Sequence, residues 1–359
     1  MIYLDYQATT PLAPEAREAM LRWLGGPDTT GFANPHSPHR PGRAAAAVIE
    51  VAREQVASLL PPGGRVIFTG SATEALNLAI FGSGTRRLAV SAIEHAAVLD
   101  TAKARDPGMA ILPVSSLGIV ESHTRIPSGV DLVAVMQVNN EIGTIQPIIE
   151  LADAAHRAGA LFLCDAVQGA GKIAAPEGAD MIALSAHKLY GPKGIGALWV
   201  RDGLTLSPLI HGGAQEQALR SGTLSPALCA GFGAAARICC ERMLEDAEHV
   251  GRLWHAARAV LSRWTLNGSA TARWHGNMNV RLDGLDVARL ISELRDMAFS
   301  AGSACASGSG RPSHVLTALG LNAAQAKSSV RLGFGRYSVL GDIEDACVRL
   351  DAAAAAQGV

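Results

Sequence analysis

The chain has 359 residues, 31 Lys and Arg against 32 Asp and Glu, 38 glycines and 48% hydrophobic residues. A formal net charge of -1 supplies no basic field for nucleic acid, and so much apolar residue excludes a disordered chain. No apolar run approaches the ~18 residues a membrane-crossing helix needs, and residues 1–6 have neither the basic flank nor the apolar core of a secretory signal.

Six scattered cysteines (Cys164, Cys229, Cys239, Cys240, Cys305 and Cys347) contain no C-x-x-C pair. A chain of this length needs no disulfide staples, and the spacing offers no zinc knuckle, so a reducing, cytoplasmic setting is expected.

Strand and helix signals alternate through most of the chain. A strand is predicted at 65–69 and a helix at 71–81, then a strand at 87–92 and a helix at 95–104. The continuous apolar run 131–138 suits a strand buried on both faces, and 148–158 has helical spacing. Short strands follow at 160–164, 181–184 and 197–200. Such alternation predicts an α/β fold around a mainly parallel sheet. Residues 226–261 are Ala-rich and helical nearly throughout, long enough to link two bodies. Strands at 276–282 and 328–333 and helices at 287–295 and 342–356 then surround a Gly- and Ser-rich loop at 300–313. This predicts a large domain at 15–245 and a smaller α+β domain at 246–359, joined by the N-terminal arm 1–14.

Four segments could carry chemistry. Thr69-Gly70-Ser71-Ala72-Thr73-Glu74 lies where a strand turns into a helix, so backbone N–H groups and the helix N-terminus can cradle an anion. It equally reads as a capping box, with Ser71 the cap and Glu74 three residues on. Asp165 ends a buried strand, where open α/β sheets bind ligands, or it caps the next helix. Lys188, in Ser185-Ala186-His187-Lys188 before a Gly-Pro turn, is either a surface charge or a partly buried amine suited to a Schiff base. Cys305, in the small-residue loop, has the setting of a nucleophile, whereas the other cysteines read as core packing. Jointly, an anion cup, a buried acid, an amine and a thiol suit pyridoxal phosphate. A dinucleotide site fits worse, because no G-x-G-x-x-G follows the first predicted strand.

These residues resemble the cysteine desulfurases of the aminotransferase class-V group. The likeness rests on Tyr3-Leu4-Asp5-Tyr6-Gln7-Ala8-Thr9-Thr10, Asn34-Pro35-His36-Ser37, Ala72-Thr73-Glu74, Glu94-His95 and Asn139-Asn140-Glu141-Ile142-Gly143. It continues through Asp165-Ala166-Val167-Gln168, Ser185-Ala186-His187-Lys188, Arg220-Ser221-Gly222-Thr223 and Gly302-Ser303-Ala304-Cys305. It implies the fold type I scaffold of pyridoxal phosphate enzymes, whose large domain holds a mainly parallel seven-stranded sheet.

The resemblance implies that Lys188 holds the cofactor covalently, Asp165 pairs with its ring nitrogen, Gln168 bonds its ring hydroxyl and His95 stacks on its face. Ala72, Thr73, Ser185 and His187 would hold the phosphate, and Thr223 would reach the phosphate of a second subunit in a homodimer. Asn140 and Arg331 would orient the substrate carboxylate, and Cys305 would accept sulfur from L-cysteine, with His95 handling protons at the thiol. No resident metal is implied, although Cys305 could transiently ligate a cluster shared with a scaffold. The sulfur acceptor would be a protein, either an iron–sulfur scaffold or a thiolation enzyme, with no membrane or direct nucleic-acid partner.

Departures from the family pattern are local. Gly70-Ser71 stands where Ser-Gly is usual, Ala75-Leu76 replaces a more polar pair, and Ala96 stands where a lysine is common. The chain stops at Val359, whereas many relatives carry a longer tail that contacts the iron–sulfur scaffold. A selenocysteine lyase or cysteine sulfinate desulfinase would share the whole cofactor site. An aminotransferase would not need Cys305, and a catalytically silent dimeric scaffold would need neither Lys188 nor Asp165.

Overall fold

The computed structural model describes residues 1–302 and 312–359. Its main body is a seven-stranded sheet, in the spatial order Gly64–Thr69, Gly196–Arg201, Met181–Ser185, Leu161–Asp165, Leu132–Ala134, Leu88–Ser91, Ala110–Leu112. Gly196–Arg201 runs antiparallel to both its neighbours, and every other adjacent pair is parallel. The middle strands are apolar on both faces because helices cover both sides; all five residues of Met181–Ser185 are buried. One cluster of side chains, including Phe162, Cys164 and Phe232, fills one face, and a second, including Leu76, Leu163 and Leu198, fills the other.

The predicted strand at 131–138 is laddered only over Leu132–Ala134. Val135 and Gln137 still donate to the carbonyls of Leu163 and Asp165, after which the chain leaves the sheet toward the cavity described below. The edge strand Ala110–Leu112 and the helices Pro14–Leu21 and Arg40–Ala57 have no counterpart in the predicted elements. The second helix is capped by His39, whose Nδ1 accepts from the Gly42 N–H, and not by the usual Ser, Thr, Asp or Asn.

The helix Pro226–Val260 contains the expected domain division at 245–246. Its first half contributes Cys229, Phe232 and Cys239 to the core under the large sheet. Its second half contributes Leu253, Trp254 and Ala257 to a separate C-terminal core. That core covers an antiparallel sheet in the order Ser300–Ala301, Ser329–Gly333, Asn277–Arg281, Thr265–Leu266.

The N-terminal arm ties the two together. Ile2–Tyr3 pairs in parallel with Met297–Ala298, Leu4 joins the C-terminal core, and Tyr6 joins the large one. The arm can cross here because Gly333 has no side chain: a Cβ would sit 2.0 Å from Gln7 Oε1 and 2.7 Å from the Tyr6 nitrogen. Among the described residues no helix is long and apolar enough to cross a membrane.

Candidate active site

The segments leaving the carboxyl ends of the parallel strands enclose a cavity of about 360 Å³. Ten of the twelve residues expected from the sequence border it: Ala72, Thr73, His95, Asn140, Asp165, Gln168, Ser185, His187, Lys188 and Arg331. Thr223 does not reach the cavity of its own chain and is exposed beside Gly222. Cys305 lies outside the described residues.

At one end stands the N-terminus of the helix Ala72–Gly82. Ser71 caps this helix as the sequence suggests, but the return bond of a capping box falls one residue early, on Gly70. Ser71 Oγ accepts from the Glu74 N–H at 3.2 Å, while the Glu74 carboxylate accepts from the Gly70 N–H and pairs with Arg220 at 2.8 Å. The N–H groups of Ala72 and Thr73 belong to the first turn, which has no intrahelical partner for them, and both residues face the cavity. The approach is close because Gly196 lies underneath; a Cβ there would meet Ser71 C at 2.5 Å. Ser185 and His187 add polar side chains to the same lining. His187 Nδ1 meets Thr9 Oγ1 at 3.1 Å. Burial and then the charges of Lys188, Lys193 and Lys172 push its pKa down to about 4, so the imidazole is neutral at pH 7.

Asp165 is buried at the end of its strand and accepts from the Val167 N–H at 3.0 Å. Burial raises its pKa, offset in part by that hydrogen bond and by His95 and Lys188. Among the described residues it forms no ion pair, so it faces the cavity as an acid in want of a cation.

Lys188 ends the 3-10 turn Ala186–Lys188, and its Nζ donates to the carbonyls of Gln7 and, at 2.8 Å, Ala8. It is therefore no solvated surface charge, whereas Lys193 is exposed. Gln168 Nε2 donates to the same Gln7 carbonyl at 2.9 Å. His95 caps the helix Ala96–Arg105, its Nδ1 accepting from the Ala97 N–H at 3.1 Å, which fixes the ring at the cavity wall.

Opposite these, Arg331 is 1% exposed in the strand Ser329–Gly333. Its Nη2 donates to Asp5 Oδ1 at 2.7 Å and its Nη1 to the Asn140 carbonyl at 3.2 Å, and its buried Nε has no partner among the described residues.

Among the other cysteines, Cys164, Cys229, Cys239 and Cys347 are buried, and burial pushes each thiol up, those of Cys229 and Cys347 to about 12. Cys240 departs from the core-packing expectation, because it is exposed beside Ser58, with Sγ 3.3 Å from Ser58 Oγ.

Gln7 at the site, and the buried carboxyls Glu94 and Glu141 beside His95 and Asn140 in the chain, were not singled out as candidates from sequence. Gln7 lies in a quoted motif, but its use is through its main-chain carbonyl, which no side-chain pattern signals. Glu94 is fully buried next to His95, with Oε1 accepting from Ser91 Oγ at 2.5 Å and from the Met136 N–H at 2.8 Å. Burial, with the Asp165 charge adding to it, pushes its carboxyl up to about 8 against the pull of those two bonds. Glu141 is buried and accepts from Ser313 Oγ at 2.5 Å.

The family model for aminotransferase class-V matches residues 2–345. A cysteine desulfurase IscS of Rickettsia bellii is 39% identical over 366 residues, covering 96% of this chain and 88% of the relative. The Rickettsia akari cysteine desulfurase IscS is also 39% identical, covering 98% and 91%. Among solved structures, a NifS-like protein from Rickettsia africae superposes with a TM-score of 0.88 at 28% identity, covering 98% of this chain and 99% of that one. A structure described as SspA in complex with cysteine gives 0.81 at 34% identity, covering 94% and 100%.

Proposed function

Because this chain belongs to the aminotransferase class-V family, we propose that it is a pyridoxal phosphate-dependent cysteine desulfurase, converting L-cysteine to L-alanine and collecting the sulfur as a persulfide on Cys305. The observation that carries this reading is Asp165 and Lys188 facing one cavity that is closed at one end by a helix N-terminus.

The residues present fit the cofactor. A buried carboxylate that forms no ion pair among the described residues suits a protonated ring nitrogen, and the first-turn N–H groups of Ala72 and Thr73, with Ser185 and His187, suit a phosphate. Gln168 would bond the ring hydroxyl, His95 would lie against the ring, and Thr223 would serve the phosphate of the second subunit of a homodimer. Bound there, pyridoxal phosphate supplies an electron sink that acidifies the substrate Cα and weakens its Cβ–S bond.

The protein's own groups do the remaining work. Lys188 would anchor the cofactor, and its Nζ, when not so engaged, would take the Cα proton. Arg331 and Asn140 hold the substrate carboxylate, a planar guanidinium suiting that task. His95 moves the proton at the substrate thiol. The Cys305 thiolate attacks the substrate sulfur, so that an S–S bond forms as the C–S bond breaks, and the electron pair stays on the substrate carbon skeleton, which takes up protons and leaves as L-alanine. The persulfide passes to an acceptor protein in the cytoplasm, an iron–sulfur scaffold or a thiolation enzyme.

Incubating the cofactor-loaded protein with sulfur-labelled L-cysteine tests this. Equimolar alanine and label retained on Cys305 are expected, and no alanine above a cofactor-only control overturns the reading.

A further inference from the structure

Lys172 is the one buried lysine among the described residues, and the mechanism above does not use it. It is 9% exposed and forms no ion pair among them. Its Nζ meets Gln168 Oε1 at 3.4 Å. The titratable groups that act on it are Lys188 and His187, from the turn after Met181–Ser185, and Cys239 on the long helix. Cys239 in turn touches Arg336, which is paired with Asp246 at 2.7 Å. Burial and the Lys188 charge pull Lys172 down to about 7. An apolar side chain would fill this place without the desolvation penalty of an unpaired amine.

What the amine does is settle an orientation. A glutamine amide presents an acceptor at one end and donors at the other. With Oε1 turned to the Lys172 amine, Nε2 points the opposite way, toward the Gln7 carbonyl at 2.9 Å and the cavity that Gln168 lines. The same carbonyl accepts from Lys188 Nζ, so Lys172, Gln168, Gln7 and Lys188 form one connected chain of polar groups.

We propose that Lys172 is a positioning residue that holds Gln168 with its amide nitrogen toward the cavity, so that a ligand's ring oxygen meets a donor there. The proposal rests on the pyridoxal phosphate reading above. A donor stabilises an anionic ring oxygen, and its loss changes the pH at which the bound chromophore titrates.

The test is a double-mutant cycle read by absorbance. The cofactor-loaded wild type, Lys172→Met, Gln168→Leu and the double variant are titrated with pH, and the midpoint of the visible band is followed. Both single variants are expected to move the midpoint in the same direction by about half a unit or more. The double variant is expected to move it no further than Gln168→Leu alone. Lys172→Gln, which keeps a donor without the charge, is expected to return the midpoint close to wild type. Without cofactor, Lys172→Met is expected to melt no lower than wild type, a result that a purely structural lysine would not give. An unmoved midpoint in Lys172→Met, additive shifts, or no rescue by Lys172→Gln overturns the proposal. A wild type that takes up no pyridoxal phosphate overturns the functional reading and this proposal with it.

Discussion

Arg331 and Asp5 form an ion pair with Nη2 2.7 Å from Oδ1, where the N-terminal arm crosses the C-terminal sheet. Ser300 Oγ donates to the same Oδ1 at 2.9 Å, so one carboxylate holds both the guanidinium at the cavity wall and the strand Ser300–Ala301. The pair is lopsided: the Arg331 side chain is 1% exposed and that of Asp5 21%.

Asp5→Asn therefore leaves a buried guanidinium without its counter-charge. A loss of about 2–4 kcal/mol in unfolding free energy is expected, measured by urea titration of the cofactor-free protein. The same variant is expected to raise KM for L-cysteine about tenfold with a smaller change in kcat, because the guanidinium that would take the substrate carboxylate is no longer aimed. An unchanged KM would detach Arg331 from substrate binding.

Lys188→Ala removes the amine that donates to the Gln7 and Ala8 carbonyls. Reconstituted with pyridoxal phosphate, this variant is expected to lack the visible band of the covalently held cofactor. Its alanine release is expected to fall by at least about a thousandfold. A wild-type spectrum in the variant would assign the covalent role to another amine.

Cys305→Ser tests the proposed role of Cys305 in sulfur capture apart from cofactor binding. The visible band is expected to persist while alanine release from L-cysteine drops to background. Wild-type alanine turnover in this variant would remove Cys305 from the reaction.

Glu94 sets a pH dependence with a definite sign. Its carboxyl lies at about 8 in the folded protein against 4.5 for an unperturbed group, because burial disfavours the anion. Between those values the folded state holds a proton that the unfolded state has lost. Its contribution to stability is therefore complete below about 4.5 and is lost as pH rises through about 8. Glu94→Gln, which cannot ionise, is expected to gain roughly 2–4 kcal/mol over wild type between pH 5 and 9. Urea midpoints of the two cofactor-free proteins across that range check it, and parallel curves would exclude the Glu94 carboxyl as the source.

The alternation of strands and helices was legible because its causes are local. Apolar residues at a period of two or in short continuous runs, capped by Ser71 or broken by Gly-Pro, report neighbours along the chain. The site motifs were legible for the same reason, since each occupies a few consecutive residues at a strand end. The helix Arg40–Ala57 was not, because its alanines carry little pattern and His39 is an unusual cap. The edge strand Ala110–Leu112 is three residues long, too short for alternation to register.

Residue types alone pointed to a mainly parallel α/β chain and to a candidate anion cup, acid, amine and thiol at 69–74, Asp165, Lys188 and Cys305. Only the folded chain decided which backbone atoms serve them. Gln7 and Lys188 are 181 positions apart, and Asp5 and Arg331 are 326 apart, yet each pair is in hydrogen-bond contact. Contacts of that separation follow from how two cores and a crossing arm pack together. So does the burial of Lys172, which places its amine against Gln168 Oε1.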